Sequence, residues 1–352
     1  MNLACTRRQW LSATTALLAA SCPLVGAAAA PRYRVTDLGD LGGGNVRVKA
    51  LNNHGVSVGM ANRKPVDNRG VGFVSHRGRM RGMRHAGRAT PSSATGINDA
   101  GLVCGYDGTN GVFTKARAWL SPDGERVYVP APRDAHTFAF AVNASGQVTG
   151  VSGDLPFVGG AGHFEPFTLP AGFGLGVGRD IHDDGTVLGD MVGPHGQCAF
   201  LRQGGVVQAL SVPGAESHAA AGINDRGVVC GTLKRPGGRV ARAFVWQDGL
   251  TRELGSLDGR DDSSSVAHGL NAAGTVVGRA TRPADGGGGR SRWCAFVATA
   301  DGGMVDLNTR LDPVAGAGWV LREAVAINDR GQIVGEGLYQ GVPRAFLLSP
   351  WA

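Results

Sequence analysis

The chain has 352 residues, of which 58 are glycine and 6% are aromatic. So much glycine without a strict three-residue period excludes a collagen-like protein. Together with Val, Leu, Ile and Ala, it favours many short strands joined by tight turns. The net charge of +7 is mildly basic. Without clustered basic residues or a reader motif, it does not indicate a nucleic-acid-binding protein.

The first thirty residues have the pattern of an export signal. Arg7 and Arg8 form a positive start, and the apolar run 11–20 is too short to cross a bilayer. Small residues at 27–30 suit a signal peptidase, and the paired arginines resemble a twin-arginine signal. We therefore predict an export signal peptide over 1–30. The alternative, a buried N-terminal helix, lacks a cap and a polar face.

A single domain of seven repeats is predicted over residues 31–352, with a net charge of +5 once the signal is removed. No other stretch is apolar enough to cross a membrane, so we expect a periplasmic or extracellular protein without a membrane span. Cys22 lies in a string that faintly resembles a lipoprotein box. Because Pro23 follows it, we do not expect a lipid anchor.

One phrase recurs seven times along the domain, at spacings of 46, 45, 39, 42, 47 and 57 residues. It reads small residue, branched apolar residue, Asn, two variable residues and Gly, then an apolar strand that ends in a second Gly. The Asn positions hold Asn52, Asn98, Asn143, His182, Asn224, Asn271 and Asn328. A second phrase follows, with an aromatic residue between a small and an apolar one. Its aromatic residues are Phe73, Trp119, Phe167, Phe200, Phe244, Phe296 and Phe346.

Each repeat therefore predicts four short strands. The first ends in an Asn-x-x-Gly turn, where Asn accepts a local backbone hydrogen bond and Gly takes a positive φ. Four strands in a period of about 40–50 residues are typical of a propeller, so we predict an all-β, seven-bladed β-propeller of four-stranded blades. Small residues two and four positions before the Asn would share one strand face, which we expect to lie in the crowded centre of the ring.

The two ends of the chain complement each other. Residues 33–41 have the pattern of a lone fourth strand, and the chain ends soon after a third strand at 344–348. We therefore predict that the N-terminal strand completes the last blade. This arrangement ties both ends of the chain together and removes a sheet edge that would otherwise be exposed.

Two stretches, 37–43 and 326–335, resemble the HAF family of bacterial extracellular repeat proteins. The family is named for a His-Ala-Phe string, and the resemblance extends over about residues 33–349. The His is absent from this chain, where the residues before Ala-Phe are Cys198, Arg242, Cys294 and Arg344. The resemblance implies export and a repeat fold. It implies no activity, because the family carries no catalytic motif that maps onto these residues.

The sequence contains no HExxH, Walker or Cys-x-x-Cys pattern, so we assign no catalytic residue, no metal ligand and no cofactor. The domain has four cysteines in four different repeats: Cys104, Cys198, Cys230 and Cys294. Equivalent positions in separate blades lie beyond disulfide reach, so we expect buried free thiols. Cys198 with Cys230, in adjacent repeats, is the only pairing that remains to be tested.

The fourth repeat departs from the pattern, with Asp180 in place of Gly or Ala and His182 in place of Asn. A carboxylate beside an imidazole near a narrow channel could bind a cation or a polar ligand, whereas the simpler interpretation is a turn with substituted capping residues. Acidic residues also follow the Asn in other turns, namely Asp99, Asp225 and Asp329. We expect these to cap turns rather than to bind calcium, because each stands alone in its repeat.

Several basic or imidazole side chains fall near the starts of predicted inner strands. If these side chains converge on one mouth of the channel, they would suit an anionic ligand. The alternative is that they are isolated surface residues. The candidate ligand-binding residues are His136, Arg179, Asp180, His182, His218, His268 and Arg322.

Three functions remain open, because propellers host all of them. The first is a binding module that presents one face to an anionic glycan, an envelope polymer or a protein. The second is a lyase or hydrolase that uses His136, His218 or His268 as its base. The third is a structural surface scaffold. An enzyme should show acidic and basic groups within hydrogen-bond reach in one concave pocket, and a binding module a broad aromatic or basic patch. We expect a monomer without a nucleic-acid partner.

Overall fold

Every strand that the structure describes belongs to one of seven four-stranded antiparallel sheets. The computed structural model describes residues 32–65, 69–83, 91–108, 115–283, 291–299 and 303–351. Successive sheets pack side by side into a ring, so the chain forms the predicted seven-bladed β-propeller. Within this part of the chain, no helix is long and apolar enough to cross a bilayer. The predicted signal at 1–30, with Cys22, lies outside the described residues.

The blades are numbered I to VII in chain order, and β1 (Arg32–Asp37) precedes them. Blade I contains β2 (Val46–Leu51), β3 (Val56–Asn62), β4 (Gly70–His76) and β5 (Arg79–Gly82). Blade II contains β6 (Ser92–Ile97), β7 (Val103–Asp107), β8 (Arg117–Ser121) and β9 (Val127–Tyr128). Blade III contains β10 (Thr137–Val142), β11 (Val148–Ser152), β12 (Leu155–Gly160) and β13 (His163–Pro166). Blade IV contains β14 (Leu175–Ile181), β15 (Val187–Gly193), β16 (Gly196–Gln203) and β17 (Val206–Ala209).

The remaining blades follow the same plan. Blade V contains β18 (Ser217–Ile223), β19 (Val229–Lys234), β20 (Ala241–Gln247) and β21 (Leu250–Glu253). Blade VI contains β22 (Ser265–Leu270), β23 (Val276–Arg282), β24 (Arg292–Thr299) and β25 (Gly303–Asp306). Blade VII contains β26 (Trp319–Ile327), β27 (Ile333–Tyr339) and β28 (Val342–Trp351). Two short 3₁₀ segments occur in connections, at Pro122–Gly124 and Leu307–Arg310.

The first two strands of each blade are joined by the Asn-x-x-Gly turn. In blade I the Asn52 N–H donates to Val56 O, and Asn52 Oδ1 accepts the N–H groups of His54 and Val56. Gly55 has a φ of +74°, a region that glycine enters without strain, and the equivalent glycines of the other six blades also have positive φ. The turn predicted from the sequence is therefore present in all seven blades.

One aromatic residue per blade occupies the core, opposite the glycine that closes the second strand. Gly59 pairs with Phe73 across β3 and β4, and the same pairing recurs in every blade. A Cβ on Gly59 would lie 2.1 Å from the Arg47 carbonyl oxygen and 2.8 Å from the Phe73 ring. Glycine is required there because the ring packs directly against the strand. The aromatic residues that pair with these glycines, all fully buried, are Phe73, Trp119, Phe157, Phe200, Phe244, Phe296 and Phe346.

Blade III corrects one prediction. The sequence pattern predicted Phe167 as the core aromatic residue, but Phe157 in β12 is the residue that pairs with Gly150. Phe167 follows β13 and packs edge-on against Phe200 of blade IV, with the ring centroids 6.0 Å apart. The prediction was wrong because this repeat contains two Pro-Phe strings. The tight turn after β11 brings the first of them into register.

A β-bulge interrupts the inner strand of every blade, and the sequence pattern did not predict it. In blade I the register shifts between Val48 and Ala50, so Lys49 is the extra residue. The two small positions therefore do not share one strand face, as a strict two-residue alternation would require. Crowding still explains the second position, because a Cβ on Gly96 would lie 3.1 Å from Ala141 of blade III.

The ring closes as predicted from the two ends of the chain. β1 pairs antiparallel with β28, from Arg32 opposite Trp351 to Asp37 opposite Phe346, so it is the fourth strand of blade VII. The side chain of Tyr33 is buried between the two ends of the chain.

All four cysteines are free, and the Cys198–Cys230 pairing is not formed. The prediction of buried thiols holds for Cys104, Cys230 and Cys294, but Cys198 is only partly buried. Cys104 and Cys230 are buried in the second strands of blades II and V. Burial raises the pKa of Cys104 to about 12 and raises that of Cys230 as well. Both thiols therefore stay protonated at neutral pH and act as small core residues.

Candidate functional site

The inner strands of the seven blades surround a central channel whose two ends differ. The lower end lies at the Asn-x-x-Gly turns, and the upper end lies where the inner strands begin. Residues of the repeated phrase build the lower end. Residues that change from blade to blade build the upper end.

A relay of asparagine side chains joins the blades at the lower end. Asn52 Nδ2 donates to Asn98 O at 3.1 Å, and Asn98 Nδ2 donates to Asn143 O at 2.9 Å. The same bond runs from Asn143 to His182, from Asn224 to Asn271, from Asn271 to Asn328 and from Asn328 back to Asn52. Six of the seven junctions carry it, and the last of these closes the ring.

His182 interrupts this relay between blades IV and V. Its Nε2 lies 3.0 Å from Asp225 Oδ1 of blade V, and its Nδ1 lies 3.0 Å from Asp184 Oδ1. Burial acts to lower the pKa of His182, but the two carboxylates outweigh burial and raise the pKa above its usual value. An ionisable contact thus replaces a neutral amide bond at one junction.

Asp180 lies at the same junction and faces the backbone of blade V. Its Oδ1 accepts the Ile181 N–H at 2.9 Å, and its Oδ2 accepts the Ile223 N–H at 3.1 Å. Burial raises the pKa of Asp180, and these two N–H groups oppose that shift. Both carboxylate oxygens therefore have partners within the protein, which is the arrangement of a link between blades.

The acidic turn residues Asp99 and Asp329 lie close together, although they belong to different repeats. Asn53 Nδ2 lies 2.9 Å from Asp99 Oδ2 and 2.8 Å from Asp329 Oδ2, so one amide bridges two carboxylates. Asp99 accepts the Asn53 N–H, and Asp329 accepts the Ala272 N–H, so each caps the turn of a neighbouring blade. Among the described residues, no three His, Cys, Asp or Glu side chains are grouped to hold a metal ion.

The upper end has an aromatic wall on blades II and III. The rings of His136, Phe138 and Phe140 lie nearly parallel, with centroids 6.2 and 6.3 Å apart. Tyr106 of β7 meets Phe138 edge-on at 4.8 Å. The three rings stack because they alternate along β10 and its approach, so they project from the same side of the strand. All four side chains are partly accessible.

A charged wall stands on the blades that flank the closure of the ring. Glu323 and Glu336 are neighbours across β26 and β27. His268 Nε2 lies 2.7 Å from Glu323 Oε1, Arg279 Nη1 lies 3.5 Å from Glu323 Oε2, and Arg47 Nη1 lies 2.5 Å from Glu336 Oε2. These five residues form a network of alternating charges across blades VI, VII and I.

The two glutamates have different electrostatic environments. Burial acts to raise the pKa of Glu323, but His268 and Arg279 outweigh burial and lower it. Burial also raises the pKa of Glu336, and Arg47 only partly offsets this effect. Because the two carboxyl groups are neighbours, ionised Glu323 further favours the protonated form of Glu336.

A cavity of about 420 Å³ runs mainly along blades IV and V, from Phe140 of the aromatic wall to His268 of the charged wall. Arg179 lines it and donates through Nε to Asp190 Oδ2 at 2.8 Å. Burial raises the pKa of Asp190, opposed by the Ala220 N–H and by Arg179. We call this region the upper channel, defined by Arg47, Lys49, Phe138, Phe140, Arg179, Asp190, His268, Arg279, Glu323 and Glu336.

Of the seven candidate ligand-binding residues, the structure brings only Arg179 and His268 to this cavity. His136 and His218 each accept a backbone N–H from the preceding blade, from Ala116 and Ala199 respectively, both at 3.1 Å. His218 is buried, and burial lowers its pKa. These two histidines join blades.

The other three candidates lie elsewhere. Asp180 and His182 belong to the junction between blades IV and V near the lower end. Arg322 is exposed at a second bulge in β26, and its guanidinium makes no ion pair within the described ranges.

Sequence reasoning missed the aromatic wall and both glutamates. Phe138, Phe140 and Glu323 lie on inner strands at positions where the seven repeats differ from one another. This variation was the available signal. It is weak, because residues from blades III and VII come to surround the same channel only when the ring closes.

The fold is similar to solved β-propellers at low sequence identity. The propeller domain of the Trilobed protease from Pyrococcus furiosus, described as having an open velcro topology, matches with a TM-score of 0.53 and 10% identity, over 86% of this chain and 95% of that chain. The tricorn protease matches with a TM-score of 0.40 and 11% identity, over 83% of this chain and 28% of that chain. Trypanosoma rangeli sialidase in complex with sialic acid matches with a TM-score of 0.37 and 12% identity, over 87% of this chain and 54% of that chain.

The match to the Trilobed protease domain shows a shared fold and no more, because identity is so low. This chain spans about half the length of the sialidase and about a quarter of the tricorn protease. No protein-family model and no curated protein matches the sequence.

Proposed function

We propose that this protein is an exported binding module and that an acidic oligosaccharide binds in the upper channel. The observation that supports this proposal is a cavity that reaches from Phe140 of the aromatic wall to His268 of the charged wall. A flat apolar surface opposite several polar groups is the usual composition of a ligand pocket.

The aromatic wall provides the apolar contact. Phe138 and Phe140 present parallel rings along the channel, and the Arg179 guanidinium lies 5.9 Å from the Phe140 ring. The C–H face of a sugar ring can pack against such a surface, while its hydroxyl groups remain free to bond to charged side chains. Sugar units in succession could follow the line of rings.

The preference for an acidic ligand follows from the charges. Arg47, Lys49, Arg179 and Arg279 bring four fixed positive charges, against the carboxylates of Asp190, Glu323 and Glu336. Lys49 is exposed and makes no hydrogen bond or ion pair within the part of the chain that the structure describes. It is therefore available to a ligand carboxylate, and the basic protein as a whole would attract such a ligand at low salt.

Titration calorimetry of the purified protein with trigalacturonate, and with neutral maltotriose for comparison, tests this proposal. We expect 1:1 binding of the acidic trisaccharide that weakens as salt is raised. Phe140→Ala should weaken it at least tenfold, and Lys49→Met should weaken it and reduce the salt dependence. Lys234→Met removes the same charge from an exposed site in β19 and should change nothing. No binding at low salt, or equal affinity for the neutral sugar, would contradict the proposal.

A second candidate function, a hydrolase or lyase, is favoured by the pair Glu323 and Glu336. Two neighbouring carboxyl groups with pKa values displaced in opposite directions could supply a base and an acid, with His268 beside them. Prolonged incubation with trigalacturonate, followed by chromatography of the products, distinguishes the two functions. Fragments that disappear with both Glu323→Gln and Glu336→Gln would support the enzyme, and an intact trisaccharide would exclude it for this substrate.

Export and the relation to the HAF family remain proposals that rest on the sequence. Replacement of both Arg7 and Arg8 by lysine should leave the unprocessed protein in the cytoplasm if the signal is of the twin-arginine type. Fractionation followed by mass spectrometry of the N-terminus measures this directly. A monomer is expected and can be checked by light scattering.

A further inference from the structure

A second cavity lies on the lower face, outside the channel. It has a volume of about 570 Å³ and lies between the β20–β21 hairpin of blade V and the Asn-x-x-Gly turn of blade VI. Its apolar lining comes from Val228, Val245 and the half-buried Trp246. Leu250 stands at its edge with 78% of its surface exposed, next to this apolar lining.

The charge around this cavity is positive. Arg226 and Arg252 line it, and neither guanidinium makes a hydrogen bond or an ion pair within the described ranges. Asp248 is the one acidic residue in the lining, and it lies in the exposed turn of the hairpin. Two guanidinium groups against one carboxylate leave the site ready to accept an anion, since arginine binds carboxylate and phosphate groups in a bidentate geometry.

Thr251 adds an unsatisfied polar group. It lines the cavity, and its Oγ1 is buried without a hydrogen-bond partner among the described residues. At the same register position, five other blades place an apolar side chain that packs against a core. Those residues are Val35, Met80, Phe164, Val207 and Met304. This hydroxyl oxygen is inaccessible from the cavity, so it is an unsatisfied polar group within the blade and not a contact for a ligand.

We propose that this cavity binds a small amphiphilic anion, with its apolar chain on Trp246 and Leu250 and its headgroup between Arg226 and Arg252. The chain covers the exposed leucine, and the headgroup supplies the acceptor that the two guanidinium groups lack. This site is independent of the upper channel, because it lies on the opposite face and shares no residue with it.

Trp246 provides the measurement, because its indole forms part of the cavity wall. Octanoate is titrated into the purified protein while tryptophan fluorescence is recorded, and the titration is repeated with Trp246→Phe. We expect a saturable change in the wild type that is absent from Trp246→Phe. Octylammonium, which has the same chain and the opposite charge, and acetate, which lacks the chain, should each bind at least tenfold more weakly.

Variants then separate the headgroup contacts from unspecific adsorption. Arg226→Gln and Arg252→Gln should each weaken octanoate binding about tenfold, the usual effect of losing one charge-assisted hydrogen bond. Arg239→Gln removes an exposed guanidinium elsewhere and should leave it unchanged. Equal binding of octanoate and octylammonium, or a fluorescence change that persists in Trp246→Phe, would overturn the proposal.

Discussion

The two ends of the channel are built from the same inner strands, yet they follow different rules. At the lower end, residues repeat: an Asn at the same position in six blades sends its amide to the next blade. At the upper end, residues vary: Arg47, Phe138 and Glu323 all occupy the first channel-facing position of their strands. The lower end holds a cavity of about 200 Å³ lined by the repeated turn residues, whereas the upper end holds one of about 420 Å³ that reaches from Phe140 to His268.

This difference indicates how the protein divides its tasks. A ring of similar units closes only if every junction has the same geometry, so the residues that hold the junctions are constrained to be alike. A ligand is not seven-fold symmetric, so the residues that contact it must differ from blade to blade. Stability should therefore depend on the repeated positions, and binding should depend on the variable ones.

Among the channel residues, Asn328→Ala should give the largest loss of stability. The amide that closes the ring onto Asn52 O is removed, and the N–H groups of Arg330 and Gln332 lose their acceptor. We expect the free energy of unfolding to fall by about 2–4 kcal/mol in urea titrations. Asn45→Ala, at an exposed position of blade I, should change it by less than about 0.5 kcal/mol. A loss of similar size in both variants would contradict a stabilising role of the asparagine relay.

Phe140→Ala should have a small effect on stability and a large effect on binding. Because Phe140 is only partly buried in the upper channel, its loss should cost about 1 kcal/mol of stability while weakening trigalacturonate binding at least tenfold. Phe244→Ala, a core residue outside the channel, should cost about 3–5 kcal/mol. The same urea titrations and calorimetry measure all three proteins. A Phe140→Ala protein that binds normally would show that the aromatic wall is structural.

His182→Asn should give the smallest effect, and one that depends on pH. The folded pKa of His182 is raised, so its contribution is complete below the unfolded pKa of about 6.5 and is lost as pH rises through the folded pKa. Because both partner carboxylates are largely exposed, we expect no more than about 1 kcal/mol.

The variant should therefore be as stable as the wild type or slightly less stable at pH 5. At pH 8.5 it should be more stable, since an Asn can restore the missing amide link. His163→Asn, which changes a more exposed ion pair with Glu165, is the matched control. Identical pH profiles of the wild type and His182→Asn would contradict the role of this junction.

Most of the fold could be read from the sequence because each element depends on local rules. The seven turns follow from Asn and Gly three residues apart, and the closure by β1 follows from a chain that begins with a fourth strand and ends with a third. Phe167 was misassigned because register depends on turn length, which the string Pro-Phe does not encode. The bulge at Lys49 was missed for a similar reason, since an extra residue leaves no mark in composition.

The candidate site was harder to predict than the fold. Arg179 and His268 could be picked out as basic residues on inner strands, and they do line the cavity. His136 and His218 belong to the same class by sequence, but their ring nitrogens accept N–H groups from a neighbouring blade. Glu323 meets His268 across a blade junction, a contact between residues 55 positions apart that no local spacing encodes.

A crystal structure of the protein soaked with trigalacturonate tests the division of tasks most directly. Sugar rings should appear in the upper channel, one of them against Phe140 and with a carboxylate near Lys49. The lower end and its asparagine relay should be unchanged. Sugar density at the lower end, or bound only to outer strands with the upper channel filled by water alone, would contradict this assignment.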